Sequence, residues 1–475
     1  MRLAILGVGA GGVFLLSRLA ELSSSDWAGN EIFLFESPEC LGAGSAFNRD
    51  LEEAVINTGR YRLSSLSPSF LSLDGYLSRT PFEISDLNNR PLLREVYGGF
   101  LIESLSRALR ILKKHGVRIA LVPQKAEEVT FSTGKAKVIT EGKRQIEVDK
   151  VVLSIGAWGR NCSVQSGEVP YIPSPYPLKR TLLSLDTIPV VGVLGSGLSA
   201  IDIASVYGRR DAKVHFFSPS GRLPWVQVES DTDISEPKYL TEESINNLHC
   251  DGTLSACSVM ELLDAELARF EVTRSSFDDE DKIAQNWENP YSDPADLSCH
   301  RTISRTNHAL NTAFAYLSDD ECLKMRELLG PGWSRYRVRV PLSRWRQIKK
   351  MIDTGQLTLH SGVWADSSQL ESVLGAAGVK GLVNATGFSS GYADAPQLLR
   401  KLAERGHIGM DESGRGRSDY FTGRAINTEG RAQDNLFLMG QAAAGGLLIT
   451  SALDVIHCQA KNVALRLSED FRKIK

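Results

Sequence analysis

The stretch RLAILGVGAGG, residues 2–12, carries the strongest fold signal of the 475-residue chain. A short apolar strand passes here into a glycine-rich turn that opens a helix. In such a turn Gly7 permits the sharp change of direction, Gly9 lets the backbone approach a diphosphate, and Gly12 lets helix and strand pack closely. Gly11 completes the run, and the unpaired N–H groups at the helix amino terminus are placed to meet phosphate oxygens.

An acidic residue follows this turn at the distance that a dinucleotide fold requires. The next apolar strand, residues 31–35, leads directly to Glu36. Its carboxylate can accept hydrogen bonds from ribose hydroxyls. Because strand, glycine turn, helix and terminal acid occur in the expected order, the sequence predicts a bound dinucleotide rather than a purely structural turn.

A second turn of the same kind lies at residues 195–200, GSGLSA, after the apolar strand 190–194. Gly195 and Gly197 take the places of the first two glycines. Ala200 takes the last place, where alanine still permits close packing of helix and strand. The chain therefore contains a second dinucleotide fold.

The residues after the following strand indicate which cofactor binds the second fold. This strand, residues 213–217, is followed by SPSGR without a carboxylate. A missing acid removes repulsion of a 2′-phosphate, which Ser218 and Arg222 can bind through charge-assisted hydrogen bonds. We predict NADPH here and FAD in the first fold, which bears the ribose-binding acid. The alternative for Arg222 is an ordinary solvated loop charge.

The two units predict an α/β protein with two Rossmann-like dinucleotide-binding domains, in which parallel sheets are covered by helices. A helix is predicted over residues 100–114, and hairpin turns within residues 127–148 predict a small antiparallel meander. We place the first part of the FAD-binding domain in residues 1–186. The NADP-binding domain follows in 187–365, with a helical insertion at about 231–330, and the second part of the FAD-binding domain is 366–475.

Composition and charge narrow the class of protein. Lys and Arg total 54 against 57 Asp and Glu, they are scattered, and the net charge is −3, so no nucleic-acid or anionic-membrane surface is expected. The apolar opening is too short to span a bilayer. Seven cysteines without Cys-x-x-Cys spacing predict free thiols in the cytoplasm and disfavour zinc or dithiol redox centres. No metal is predicted.

Some polar residues have competing interpretations. Arginines alternate with other residues between positions 335 and 346, which predicts a solvated basic edge strand. The alternative is that they receive an anionic substrate or the NADPH phosphate. His308 and His457 lie on apolar helical faces and are interpreted as core histidines.

Three further stretches carry a family resemblance. Residues 42–47 (GAGSAF), 55–58 (VINT) and 93–101 (LREVYGGFL) look like the successive signatures of bacterial FAD/NAD(P)-binding proteins that include the flavin-dependent urate hydroxylases. More distantly, the chain is similar to N-hydroxylating and Baeyer–Villiger flavin monooxygenases. The resemblance spans most of residues 1–222 and resumes over about 380–460.

The resemblance implies additional cofactor-binding residues. It brings the loop that holds Gly44 and Asn57 close to the flavin ring. It also makes residues 152–156 and the turn at Thr386 and Gly387 the two crossovers between the nucleotide domains.

The resemblance further places Gly440, Gln441 and Gly446 along the pyrimidine edge of the flavin, before a helix that begins near Thr450. Many flavoproteins have an aspartate at the position of Gln441, which can hydrogen-bond but carries no charge. A helix amino terminus at this edge would stabilise negative charge on reduced flavin.

The paired turns and the resemblance imply an NADPH-dependent FAD monooxygenase that uses molecular oxygen. A flavin peroxide would hydroxylate a small nucleophilic substrate, for which an amine is one candidate. Two alternatives stay open: a flavin dehydrogenase or reductase with an acceptor other than oxygen, and a non-enzymatic flavin-binding subunit, which the missing acid at Gln441 motivates. The sequence assigns no general acid or base and no oligomeric state.

Overall fold

The computed structural model has α/β architecture built on two larger sheets, which confirms the predicted fold class. None of the helices in the described ranges combines the length and apolar character needed to cross a bilayer. The structure describes residues 1–80, 91–132, 134–160, 164, 166–228, 236–365, 369–389 and 391–472.

The strands, in chain order, are β1 (Arg2–Leu6), β2 (Glu31–Phe35), β3 (Arg118–Val122), β4 (Ala126–Ser132), β5 (Lys135–Thr140), β6 (Gln145–Val148), β7 (Lys150–Leu153), β8 (Trp158–Gly159), β9 (Tyr171–Ile172), β10 (Val190–Leu194), β11 (Lys213–Phe217), β12 (Val226–Gln227), β13 (Val340–Pro341), β14 (Leu357–His360), β15 (Gly381–Asn384), β16 (Phe388–Ser389), β17 (Arg424–Ile426) and β18 (Ala432–Leu438).

The helices are α1 (Ala10–Leu22), α2 (Arg60–Ser65), α3 (Leu73–Leu77), α4 (Arg94–Lys114), α5 (Leu178–Leu183), α6 (Leu198–Tyr207), α7 (Glu242–Cys250), α8 (Ala256–Ala268), α9 (Glu280–Glu288), α10 (Pro294–Ile303), α11 (Asn307–Tyr316), α12 (Asp319–Leu329), α13 (Gly332–Arg337), α14 (Leu342–Asp353), α15 (Leu370–Ala376), α16 (Gln397–Glu404) and α17 (Leu453–Arg472).

The first sheet has the strand order β17-β18-β7-β1-β2-β3, with β1 at its centre. Strand β1 pairs in parallel with β2 and β7, and both of its faces are covered. Leu3 and Ile5 pack into the core formed with α1, α4 and α17, whereas Ala4 and Leu6 pack towards the β4-β5-β6 meander and α16. Burial on both faces explains why this strand is apolar without interruption.

The second sheet has the order β14-β11-β10-β15-β9, and all its pairings are parallel. The predicted meander is also present, as the antiparallel β4-β5-β6 sheet. Two short strands join the two larger sheets: β8 follows β7, β16 follows β15, and they pair antiparallel through Phe388 with Gly159 and Ser389 with Trp158. The segments predicted as crossovers therefore lead into two strands that lie side by side.

A run of helices from α7 to α13 occupies residues 242–337, in the region where the helical insertion is predicted. The core that lies below β10 and β11 extends into these helices without a break. The insertion is therefore packed onto the second sheet rather than extended away from it. The predicted domain boundaries remain predictions.

The predicted basic edge strand is wrong. Its residues form helix α13, the two-residue strand β13 and helix α14. Arg339 is fully buried, and its Nη1 lies 2.7 Å from Oδ2 of Asp296. The guanidinium also lies over the rings of Tyr336 and Trp225. The alternation of arginines thus reflects a helix-to-strand junction, and partners distant in the sequence decide which guanidinium is buried.

Helix α4 begins six residues earlier than the sequence predicts, at Arg94 instead of Phe100. The early turns contain Gly98 and Gly99, which disfavour a helix by intrinsic propensity. The early turns are helical because tertiary packing outweighs that propensity. A side chain at Gly98 would collide with the backbone carbonyl of Phe47. Helix α4 therefore needs a glycine there to let the 42–47 loop lie against it.

We expect Gly98→Ala to destabilise the protein by about 1–3 kcal/mol, since the added methyl group displaces backbone of the 42–47 loop. Gly99→Ala is the matched control, because its methyl group meets only the hydroxyl of Tyr76, at the end of a side chain that can move. Urea unfolding of both variants tests this difference. Equal stability of the two variants would show that the 42–47 loop is not held by this contact.

Candidate functional site

A cavity of about 1160 Å³ lies where the first glycine turn, the start of α6 and the helical insertion meet. It is larger than the range of about 300–1,000 Å³ that is usual for drug-sized ligands. The cavity is therefore large enough for part of a dinucleotide together with a small substrate. The predicted site residues on its lining are Gly9, Gly11, Glu36, Gly44, Asn57, Gly440 and Gln441.

The first glycine turn is fixed by close contacts between backbones. Gly7 has a φ of +92°, and a side chain there would collide with the carbonyl of Ser154. A side chain at Gly12 would come within 2.6 Å of the carbonyl oxygen of Gly7. Both glycines are required for the fold itself, whether or not a cofactor is bound.

Gly9 and Gly11 present bare backbone at the start of α1. A Cβ on Gly9 would lie 3.1 Å from Cα of Gly44, so the turn and the 42–47 loop nearly touch. The first amides of α1 have no partner within the helix and border this cavity. Such a cradle of unpaired N–H groups fits the diphosphate of FAD.

Hydrogen bonds from backbone amides orient the side chain of Glu36. Its Oε2 accepts a hydrogen bond from the amide of Val8 at 3.0 Å, and its Oε1 accepts one from the amide of Ser37 at 3.0 Å. Oε1 also lies 3.5 Å from the hydroxyl of Ser37, whereas Oε2 keeps a second lone pair for a ligand. Because Glu36 also lines the cavity, the geometry fits a ribose-binding acid.

Gln441 connects the carboxy-terminal segment to the crossover strand β16. Its side-chain amide nitrogen donates to the carbonyl of Ser389 at 2.7 Å, and the side chain is almost fully buried. Gly440 has a φ of +62° and its amide donates to Oε1 of Gln459 at 2.8 Å. Gln441 therefore supplies a fixed polar link at the position where many flavoproteins have an aspartate.

The structure places Gly446 away from the cavity. A side chain there would collide with the carbonyl of Ser418, and the residue borders a smaller cavity of about 290 Å³. The glycine is explained by close packing against Ser418. Of the three residues predicted along the flavin edge, Gly440 and Gln441 line the large cavity, as does Thr450 before α17.

The second glycine turn repeats the geometry of the first. Gly195 has a φ of +106°, and a Cβ there would lie 2.5 Å from the carbonyl oxygen of Ala385, just as Gly7 abuts Ser154. Ala200 is fully buried. Gly197 differs, because a Cβ there would have no atom within 4 Å. The space in front of α6 is therefore open, and packing within the protein does not require a glycine at position 197.

The second crossover lies beside this turn. Oδ1 of Asn384 accepts hydrogen bonds from the amide of Thr386 at 3.1 Å and from its hydroxyl at 2.8 Å. Gly387 follows with a φ of +96°, and Phe388 then reaches the large cavity. Thr386 and Gly387 thus shape the connection between the sheets, and their contact with a cofactor remains a prediction.

Ser218 and Arg222 do lie together at the end of β11, but both have protein partners. The hydroxyl oxygen of Ser218 accepts hydrogen bonds from Ser196 at 3.2 Å and from the amide of Gly221 at 3.0 Å. The guanidinium of Arg222 forms ion pairs with Asp278 and Glu280. These two acids come from the insertion, and sequence reasoning on the turn alone missed them.

A buried polar cluster that the sequence does not reveal joins the two nucleotide folds. Nη2 of Arg94 lies 3.1 Å from the hydroxyl of Tyr176 and 3.2 Å from Oδ2 of Asp202 in α6. The Tyr176 hydroxyl donates to the same carboxylate oxygen at 2.6 Å. Burial raises the pKa of Asp202 to about 6, although Arg94 opposes the shift. Helix α4 and helix α6 are therefore held together beside the cavity.

A comparison with protein families agrees with this geometry. Residues 4–157 match the model of a family described as FAD-NAD(P)-binding. The matched segment contains the first glycine turn, Glu36 and the loop that holds Gly44 and Asn57. The match confirms the predicted class of cofactors, FAD with NAD(P). No curated protein sequence matches the chain.

Two solved structures share the fold over almost their full length. One is an ornithine N-hydroxylase from Kutzneria sp. 744 with reduced FAD, NADP+ and L-ornithine, at 16% identity and a TM-score of 0.53, covering 99% of this chain and 98% of that one. The other is the FAD-bound cadaverine monooxygenase of desferrioxamine biosynthesis from Erwinia amylovora, at 14% identity and a TM-score of 0.54, covering 100% and 96%. At these identities the likeness shows the fold.

We expect Gly197→Ala to weaken binding of the nicotinamide cofactor about tenfold or more, because its methyl group would occupy the phosphate space in front of α6. The stability of the protein should change by less than about 0.5 kcal/mol, since the methyl group meets no protein atom. Calorimetric titration of the FAD-loaded protein with NADP+ measures the effect. Gly375→Ala, another position with no neighbour within 4 Å, is the control. Unaltered affinity in Gly197→Ala would exclude a phosphate site at this turn.

We expect Asp202 to make the protein less stable as the pH rises from about 4 to 6. Its pKa is raised from 3.8 to about 6 by burial, so in this window the native state holds a proton that the unfolded state has lost. The loss amounts to at most about 3 kcal/mol and is complete above the native pKa.

Urea unfolding of the wild type and of Asp202→Asn across about pH 4 to 8 tests this shift. The wild type should lose stability relative to the variant through the window, and the difference should then stay constant. Asp186→Asn, which removes an exposed carboxylate near α5, controls for the loss of one charge. A stability difference independent of pH would show that Asp202 titrates normally.

Proposed function

We propose that the chain is an NADPH-dependent FAD monooxygenase that hydroxylates a small nucleophilic substrate, with an amine as one candidate. One observation carries the proposal: a single cavity is bordered both by the first glycine turn and by Leu198 and Ser199 at the start of α6. A flavin and a nicotinamide held by the two turns would therefore meet in a shared space. The ornithine N-hydroxylase and the cadaverine monooxygenase, which share the fold, support this assignment.

Backbone groups would hold FAD at its phosphate end. The amides at the start of α1, next to Gly9 and Gly11, would bind the diphosphate, and Glu36 would bind the ribose. Because Gly44 has no side chain, the 42–47 loop does not cover the first glycine turn. When bound, FAD supplies the redox chemistry, taking a hydride from the nicotinamide and passing electrons to oxygen.

The isoalloxazine end would lie between Asn57 and the segment that holds Gly440, Gln441 and Thr450. Thr450 donates a hydrogen bond to the side-chain oxygen of Gln441 at 3.4 Å, so this edge is built from fixed polar groups. The amino terminus of α17 follows directly and favours negative charge on the reduced ring. These residues would bind and orient the flavin.

The preference for NADPH over NADH depends on Ser218 and Arg222. No carboxylate follows β11 directly in the sequence, and the hydroxyl of Ser218 lies at the end of this strand. Arg222 would bind the phosphate by exchanging one of its two carboxylate partners, Asp278 or Glu280. The urate hydroxylase resemblance and a cytoplasmic location likewise remain predictions.

The FAD-loaded protein should oxidise NADPH with consumption of oxygen, and one candidate substrate should gain one oxygen atom. Oxygen uptake and product mass, measured over a panel of amines and heteroaromatic compounds, check this expectation. Gly197→Ala, which should keep FAD but lose nicotinamide binding, is the matched variant and should be slow in both measurements.

Two outcomes would contradict the proposal. Fast anaerobic oxidation of NADPH by a dye or quinone, without oxygen insertion into any substrate, would identify a dehydrogenase or reductase. A protein that takes up FAD and never turns over NADPH or NADH would be a flavin-binding subunit. Comparison of NADPH with NADH in the same assay tests the predicted phosphate site.

A further inference from the structure

A charged cluster of four side chains forms the wall of the cavity on the side of the insertion. Nη2 of Arg62 lies 2.7 Å from Oδ2 of Asp454, and the side-chain nitrogen of Asn307 donates to the same oxygen at 3.0 Å. Nη1 of Arg337 donates to Oδ1 of Asn307 at 3.0 Å. All four residues line the cavity, and we call them the Arg62–Arg337 cluster.

The cluster carries more positive than negative charge. It contains two guanidinium groups and one carboxylate, and that carboxylate pairs with Arg62. Within the described part of the chain Arg337 has no carboxylate partner of its own. The Nε of Arg337 is shielded from solvent and finds no acceptor among the described residues. Since a buried cation is costly without a full set of partners, an anion placed here would stabilise the site.

Electrostatics on the cluster point the same way. Burial lowers the pKa of Arg337 to about 10, Asp454 opposes that shift and Arg62 adds to it. Burial alone would raise the pKa of Asp454, but Arg62 and Asn307 hold it below its usual value, so the carboxyl group is ionised and already engaged. Among the described residues, Arg337 is therefore a cation without a carboxylate partner of its own, whereas the carboxylate of Asp454 is already engaged.

The neighbouring groups on the wall do not neutralise this charge. His300 donates its Nε2 proton to the carbonyl of Arg337 at 3.0 Å, since a carbonyl can only accept, and burial keeps its pKa well below the usual value. His300 is thus a neutral imidazole. Arg301 also lines the cavity and donates to the carbonyl of Val228 at 3.3 Å. Cationic side chains outnumber acidic ones on the lining as a whole.

The position of the cluster separates it from the second glycine turn. Asp454 lies in the first turn of α17, directly after the segment assigned to the flavin edge, and Arg62 lies in α2, which follows the loop that holds Asn57. Gly195, Gly197 and Ser218 are not among the residues that line this cavity. An anion on the cluster would therefore sit beside the flavin ring, where the substrate reacts.

We propose that the Arg62–Arg337 cluster binds the carboxylate of the substrate, so that the substrate joins a nucleophilic group to a carboxylate. The fork of a guanidinium matches a carboxylate in two parallel hydrogen bonds. A diamine without an anionic group would be repelled by the same wall. The substrate identity rests on the proposed function, whereas carboxylate binding to the FAD-loaded protein does not.

Spectral titration of the FAD-loaded protein tests the site without turnover. Monocarboxylates from acetate to benzoate serve as probes, and benzyl alcohol is the neutral counterpart of benzoate. A carboxylate that binds near the ring should change the visible absorption of FAD, and benzyl alcohol should bind at least about tenfold more weakly than benzoate. If no carboxylate of the panel binds the wild type, the proposal is overturned.

Arg337→Met should weaken benzoate binding at least about tenfold and leave the affinity for benzyl alcohol unchanged. Arg346→Met, which removes an exposed arginine of α14 away from the cavity, is the matched control and should bind benzoate like the wild type. Should Arg337→Met fail to retain FAD, Arg337→Lys decides the question. It keeps the charge but loses the fork, so it should still bind benzoate several-fold more weakly than the wild type does.

Three results would overturn the assignment. Unchanged benzoate affinity in a folded Arg337 variant would remove the arginine from the site. A changed ratio of the KM values for NADPH and NADH, with unchanged benzoate binding, would assign the cluster to the cofactor phosphate. A shifted reduction potential of FAD with unchanged benzoate binding would assign it to the flavin's own charge. None of these readouts requires hydroxylation, so failure of the monooxygenase proposal is detected separately.

Discussion

Two close contacts between backbones organise the whole molecule. Gly7 lies against the carbonyl of Ser154, and Gly195 lies against the carbonyl of Ala385, in each case at a positive φ that excludes a side chain. Each contact sets a glycine turn beside the crossover that leaves the same sheet. Because the crossovers pair through β8 and β16, the two contacts also fix how the first sheet meets the second. The position of the cavity between the helix amino termini follows from this arrangement.

The parts of the fold governed by local sequence are those that sequence reasoning predicts well. Strands β1, β2, β10 and β11 have the predicted bounds because each is a short, mainly apolar run that ends at turn residues. The two glycine turns could also be predicted, since Gly7 and Gly195 adopt a positive φ that favours glycine. Helix α4 was predicted too short, because Gly98 lowers helix propensity while packing against Phe47 requires it.

The parts governed by distant partners could not be predicted. The alternation of arginines does not indicate that Arg339 is buried against Asp296, 43 residues away. The sequence around Arg222 likewise does not indicate its ion pairs with the insertion. Asp202, within α6, resembles any acid on a helix until Arg94 and Tyr176 are brought to it by the fold. Gly446 belongs to this group as well, since its neighbour Ser418 lies on a separate loop.

Backbone groups and side chains have different roles in the site. The groups that suit cofactors are mainly amides at helix termini and bare glycines, which many sequences can supply as long as the turns keep their shape. The wall towards the substrate consists of side chains: Arg62 from α2, Asn307 and Arg337 from the insertion, and Asp454 from α17. The fold is shared with the two solved structures at 14–16% identity, so the fold alone does not specify the side chains of this wall. Substrate identity must therefore be argued from these side chains, and here their net charge is positive.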